Sequence, residues 1–221
     1  VDGTRQVFTA ERLLLATGRS PNVEGLNLDV AGGALDEQGF IQVDEQLQTS
    51  RSDIYAAGDV VGDPMFVYTA AYEGALAAEN ACAASGTPPR ERDYNPLPWV
   101  VFTDPQVAGG GLDQAEAEAA GHDAETVTLP MSKVPRALAA RDTRGFLQLI
   151  RDRRTDRILG ARALAPEGSE LMMEVSLALR HGMTAKDLAS MFHPYLTLSE
   201  AVKLAALSFG KDVDKLSCCA T

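Results

Sequence analysis

Gly145-Phe146-Leu147-Gln148-Leu149-Ile150-Arg151, the polar run Asp152-Arg153-Arg154-Thr155-Asp156, and Arg157-Ile158-Leu159-Gly160-Ala161-Arg162-Ala163-Leu164-Ala165 decide the fold of the second part of this chain. The outer segments are short apolar-rich runs, the pattern of β-strands, and the polar run between them is a turn. On the N-terminal side, Trp99 to Phe102 and Glu125 to Leu129 also read as strands, and Asp113 to Ala120 as a short helix stopped by Gly121. Three helices follow: Gly168 to His181 stopped by Gly182, Thr184 to Met191, and Thr197 to Phe209 stopped by Gly210. Strands followed by helices predict an α+β module whose antiparallel sheet is covered by helices. The chain has no internal repeat.

Upstream, the proline cluster from Pro88 to Pro98 marks a linker. Before it, Val7 to Ala16 reads as a strand in which Leu13-Leu14-Leu15 is a buried apolar run ending at Thr17-Gly18. Phe40 to Val43 and Asp53 to Asp59 are further short strands, the second ending in a Gly-Asp turn. The region between Arg19 and Gly39 is loop-rich, and Thr69 to Ala84 is an Ala-rich helix closed by Ser85-Gly86. The chain opens at Val1-Asp2-Gly3, a turn dipeptide without a preceding methionine, and reads as the second part of something longer.

With 221 residues, 45% of them hydrophobic and 23% charged, the chain can form one large domain or two small ones. A net charge of −11 argues against nucleic acid and anionic membrane as partners. No apolar run reaches the roughly 18 residues of a membrane span, and none of these residues reads as a signal peptide. Three cysteines, two of them adjacent, do not make a disulfide framework, so a reducing cytoplasm is the expected setting.

Three places carry chemistry. Ala16-Thr17-Gly18-Arg19-Ser20-Pro21-Asn22 and Tyr55-Ala56-Ala57-Gly58-Asp59 each put a glycine at a strand end, where backbone can approach a cofactor closely. A carboxylate directly after such a glycine, as at Asp59, can accept a ribose or ribityl hydroxyl, though it also serves as a turn former. The second place is Ser217-Cys218-Cys219-Ala220-Thr221. Adjacent cysteines are poorly placed for a relaxed disulfide but suit a soft metal ion; the plainer reading is a reducible tail without function. The third is His193-Pro194-Tyr195-Leu196-Thr197-Leu198-Ser199-Glu200, where Thr197 and Glu200 have the spacing of a capping box. His122 and His181 have no partner at metal-ligand spacing, and Cys82 reads as a buried small hydrophobe.

ATGRSPN followed by IYAAGD resembles the flavoprotein pyridine-nucleotide disulfide oxidoreductases, and VVFTDPQVA, GFLQLI and HPYLTLSE resemble their C-terminal interface domain. Within that family MFVYTAA, VPRALAARDTRGF, PYLTLSEAVKLAA and KDVDKLSCCAT are similar to the mercuric reductase branch. The resemblance implies an α/β, Rossmann-like FAD/NAD(P)-binding region followed by an α+β dimerisation domain. Its parts would be the end of the NADPH domain (1–22), the closing segment of the FAD domain (23–87), a linker (88–96), the interface domain (97–210) and a tail (211–221). It implies FAD and NADPH as cofactors, with Thr17, Gly18, Gly58, Asp59 and the backbone at Val67 near them. Val67 also reads as a core residue. The helix starting near Tyr68 would turn its positive end to the flavin.

Disulfide-reducing relatives carry a catalytic histidine five residues before a glutamate. Here Tyr195 occupies that place before Glu200, and His193 is left as a partly buried loop histidine whose loss should be mild. A neutral phenol can donate a hydrogen bond or contact a metal complex, and reducing a metal ion needs no protonated leaving thiol. Glu200 is then either Tyr195's catalytic partner or a helix cap. Cys218 and Cys219 would collect Hg(II), in exchange with small thiols, and deliver it across a homodimer interface. No Gly-x-Gly-x-x-Gly and no Cys-x4-Cys pair occurs in these residues. In that family these motifs lie further upstream, so the resemblance implies the C-terminal half of a mercury(II) reductase, expected to be inactive alone. The rivals are a dihydrolipoamide or glutathione reductase, and a non-catalytic dimerisation and metal-binding module.

Overall fold

The structure is a computed structural model and describes residues 5–212 and 215. The chain divides between Asp93 and Tyr94 into two compact units.

In the first unit the regular elements are helical. A four-residue turn of helix, α1 (Leu28–Ala31), precedes the 15-residue α2 (Val67–Ala81). Leu76 and Ala77 of α2 bury against Leu47, with Val43, Tyr55 and Tyr72 around them. Asn80, on the same helix, donates to the carbonyls of Gln46 (2.9 Å) and Arg90 (2.8 Å) and accepts from the Arg90 N–H (2.8 Å), so one amide ties together three segments. The strands expected at 40–43 and 53–59 are reduced to single bridges, Leu35 with Ile41, Val43 with Thr49, and Gln48 with Tyr55. The strand expected at 7–16 is absent. Leu13, Leu14 and Leu15 are 84, 87 and 74% exposed, because a strand exists only with a ladder partner and the described residues offer none. Cys82 corrects another expectation: it caps the C-terminal end of α2 and is exposed, not buried.

The second unit is one five-stranded antiparallel sheet, β1 (Trp99–Val101), β2 (Gln106–Gly111), β3 (Ala124–Pro130), β4 (Phe146–Asp152) and β5 (Ile158–Ala165), in the order β1-β2-β5-β4-β3. The central hairpin pairs Leu147 with Ala163 and Leu149 with Ala161, and their common face is buried. Against it lie α5 (Met172–Arg180) and α7 (Glu200–Leu207), whose Val175, Ala178, Ala201, Val202 and Ala205 are inaccessible. Each fully buried leucine of this layer contributes roughly 1.5–3 kcal/mol. Ile150, the last residue before a register shift, joins Ala117 of α3 (Gln114–Ala119) and Ala124 in a smaller cluster.

The remaining helices are α4 (Pro135–Ala140), which the sequence pattern does not predict, and α6 (Ala185–Ser190). Strand β2 was likewise hidden, since three consecutive glycines weaken any strand signal. They are needed there: a Cβ on Gly111, whose φ is +64°, would stand 2.3 Å from the Leu159 carbonyl oxygen. Among the described residues no helix is long and apolar enough to cross a membrane.

Candidate functional site

In the first unit the fold brings the two glycine motifs together. Arg19 Nη1 donates to Asp59 Oδ2 at 2.8 Å and to the Met65 carbonyl at 3.0 Å. Beside them opens a cleft of about 470 Å³, lined by Arg19, Asn22, Phe40, Asp59 and Met65 among others. Both side chains of the ion pair are more than half exposed (60 and 52%). Such a pair is worth roughly 0–1 kcal/mol, so Asp59 can exchange or share this partner at little cost.

Asp59 opens a 3-10 turn, Asp59–Val61, that follows Gly58. At φ 82° and ψ −163°, Gly58 adopts a conformation reserved for glycine, and a Cβ there would lie 3.2 Å from that of Ala70. Its N–H donates to Glu73 Oε2 at 2.6 Å, and Glu73 is 1% exposed. The sequence reading missed Glu73; the visible signal was a lone acid on the inner face of an Ala-rich helix. Val67 opens α2 and is 88% exposed, which removes the core-packing reading. At the start of α2 the Phe66 N–H donates to Thr69 Oγ1 at 3.1 Å, and the Phe66 side chain makes no cap hydrogen bond. Thr17 and Gly18 are exposed, Gly18 with φ +112° and nothing within 4 Å of where a Cβ would be.

In the second unit the loop between α6 and α7 carries Tyr195, 65% exposed. Glu200 is buried, and its Oε2 accepts the Thr197 N–H at 3.3 Å; no hydrogen bond joins it to Tyr195. Only half of the capping box forms. The N-cap is Ser199, and the Thr197 hydroxyl turns instead to the Pro194 carbonyl and Ser199 Oγ, each at 2.8 Å. α7 therefore begins at Glu200, later than the expected Thr197. His193 has a partner the sequence did not reveal: Nε2 lies 2.7 Å from Glu174 Oε1 on α5, with the imidazole side chain 5% exposed.

His122 Nδ1 meets Asp152 Oδ2 at 3.1 Å. That hydrogen bond, with the Arg154 N–H, holds the Asp152 carboxyl below the usual carboxylate range. His181 caps the C-terminal end of α5. Among the described residues no group of three His, Cys, Asp or Glu could hold a metal. Cys218 and Cys219 lie outside the described residues. Lys215, nearby in sequence, pairs with Asp212 at 3.5 Å.

Residues 97–206 match the dimerisation domain of the pyridine nucleotide-disulphide oxidoreductases, and residues 1–74 match the pyridine nucleotide-disulphide oxidoreductase domain itself. The chain belongs to this family. Among members of the pyridine nucleotide-disulphide oxidoreductases, it is 44% identical to a mercuric reductase of Staphylococcus aureus over 100% of its length. It is 46% identical to those of Acidithiobacillus ferrooxidans (96% of this chain) and Streptomyces lividans (99%). It spans 40, 38 and 45% of those three proteins. Of solved structures, the HOCl-induced flavoprotein disulfide reductase RclA of Escherichia coli superposes with a TM-score of 0.81 at 31% identity, over 89% of this chain and 44% of that one. LpdA of Mycobacterium tuberculosis gives 0.78 at 30% identity, over 89% and 42%.

Proposed function

We propose that this chain supplies the dimerisation domain, a flavin-facing segment and a metal-collecting tail to a homodimeric mercury(II) reductase. In the reaction NADPH and Hg(II) give NADP+, a proton and Hg(0). The observation that carries the reading is similarity to mercuric reductases along the whole chain; the exposed Tyr195, at the place where the resemblance to disulfide-reducing flavoproteins implies a histidine, supports it.

The residues of the first unit fit FAD. Asp59 Oδ2 is engaged by Arg19, which leaves Oδ1 for a ribityl hydroxyl, and Gly58 allows close approach of the backbone. The N-terminal end of α2, which begins at Val67, favours negative charge by about 0.3–2 kcal/mol. When bound, FAD supplies two-electron transfer between NADPH and the metal. Thr17 and Gly18 border the cofactors, and Tyr195 offers a phenol to the metal complex. Glu200, bonded to Thr197, shapes the loop and the start of α7 and is not Tyr195's hydrogen-bond partner.

Cys218 and Cys219 take up the substrate ion. Free thiols ionise near pH 8.5, and coordination by two thiolates drives their deprotonation, so uptake at pH 7 releases protons. Exposed Cys82 would bind Hg(II) too, so the test uses Cys82→Ser chain. That variant should hold one Hg(II) against a competing monothiol, and adding Cys218→Ala and Cys219→Ala should abolish the binding. Retention of one equivalent by the triple variant would overturn the tail's role.

A further inference from the structure

The loop that carries Tyr195 has no regular structure, and it exposes two aromatic rings, Phe192 at 99% and Tyr195 at 65%. Left to itself, such a segment would sample many conformations, and a ligand-contacting side chain on it would be poorly aimed. Between the two rings sits a side chain of opposite character. The His193 imidazole is almost wholly buried, and both its nitrogens meet oxygen acceptors: Nε2 meets Glu174 Oε1 at 2.7 Å, and Nδ1 meets the Met191 carbonyl at 3.3 Å. Lys203 Nζ on α7 donates to that same carbonyl at 3.2 Å.

Glu174 belongs to the first turn of α5, a helix fixed to the sheet by its inaccessible neighbours Met172 and Val175. On the other side of Tyr195, Thr197 is held by Glu200 and by the Pro194 carbonyl. Tyr195 is therefore free at its ring while its backbone is held on both sides.

Resting on the mercury(II) reductase reading, we propose that His193 and Glu174 are a positioning pair: a buried clamp that fixes the 192–199 loop so that Tyr195 meets the metal complex at one angle. The clamp touches neither substrate nor cofactor; it acts through Tyr195, as outer residues orient the ligands of metal sites. This reverses the mild effect that sequence spacing alone assigned to His193.

Amide exchange of the full chain tests the clamp directly. His193→Ala and Glu174→Ala should each speed exchange across residues 192–199 by about tenfold or more, with the β4–β5 amides unchanged. Glu174→Gln, which keeps an acceptor for Nε2, should stay near wild type. Unchanged loop exchange in both alanine variants, or acceleration spread over the whole unit, overturns the clamp. In a full-length reductase bearing this sequence, Tyr195→Phe and His193→Ala should each lower kcat for Hg(II) by roughly ten- to a hundredfold. The double variant should be no slower than Tyr195→Phe alone. Full additivity sinks the clamp while leaving Tyr195's role intact, whereas an inert Tyr195→Phe sinks the reading on which the clamp rests.

Discussion

The two units make an instructive contrast. The second buries one continuous layer of leucine, valine and alanine between a sheet and its helices; the first has a small cluster around Leu47, Leu76 and Ala77 and displays Val7, Phe8 and Leu13 to Leu15 almost fully. The difference lies in where the hydrogen bonds close. Every strand of the second unit finds its partner within that unit. The apolar run at 13–15 asks for a ladder that the described residues of the first unit do not offer. The same contrast separates the chemistry. Asp59 sits in an exposed, exchangeable ion pair, whereas Tyr195 stands on a loop fastened to a rigid core.

The strongest way to break this contrast is to cut the chain at the Asp93–Tyr94 boundary. Residues 94–221 alone should melt in one cooperative transition and sediment as a dimer at tens of micromolar; residues 1–93 alone should show no cooperative transition. Calorimetry and sedimentation decide it, and a stable monomer of 94–221 would contradict the dimerisation reading. Next in size, Leu149→Ala in the sheet core should cost about 2–5 kcal/mol in urea unfolding of the full chain. Asp59→Ala in the full-length enzyme should weaken FAD retention by roughly 1.5–3 kcal/mol while sedimentation still reports a dimer, because its partners lie in the first unit.

Acid sharpens the comparison further. Asp152 titrates below the ordinary carboxylate range in the folded chain, through His122 and the Arg154 N–H, so its contribution to stability is present above the unfolded value of about 4 and lost as pH falls through the folded one. Melting temperatures of wild type and Asp152→Asn should therefore differ at pH 6 and converge at pH 2. The smallest effect is a near-absence: Leu14→Ala should move stability by less than about 0.5 kcal/mol, since the side chain is 87% exposed.

The parts legible in the sequence are those whose pattern is local. The hairpin at 145–165 and the short helix after Asp113 announce themselves through apolar runs and turn or cap residues, with the Asp113–Glu116 box formed at 2.8 Å in both directions. Strand β2 did not, because its glycines answer to Trp99 and Leu159, residues of other strands. The site divides likewise. Asp59 was singled out from two short glycine motifs about 40 residues apart. Glu73 and Glu174 act across segments, one on the Gly58 N–H and the other on His193, and no spacing in one dimension advertises such partnerships.

The strand order also sets a timetable. β3, β4 and β5 follow one another in sequence and pair as neighbours, so short closures can assemble them early. β2 must wait to dock: its ladder with β5 pairs Gln106 with Ala165, across all the intervening chain, and β1, joined to β2 through residues 102–105, comes with it. In a newly made chain the central hairpin would act as the template on which the rest condenses. Damage there should slow folding, and damage at the β2–β5 seam should shorten the lifetime of the finished sheet.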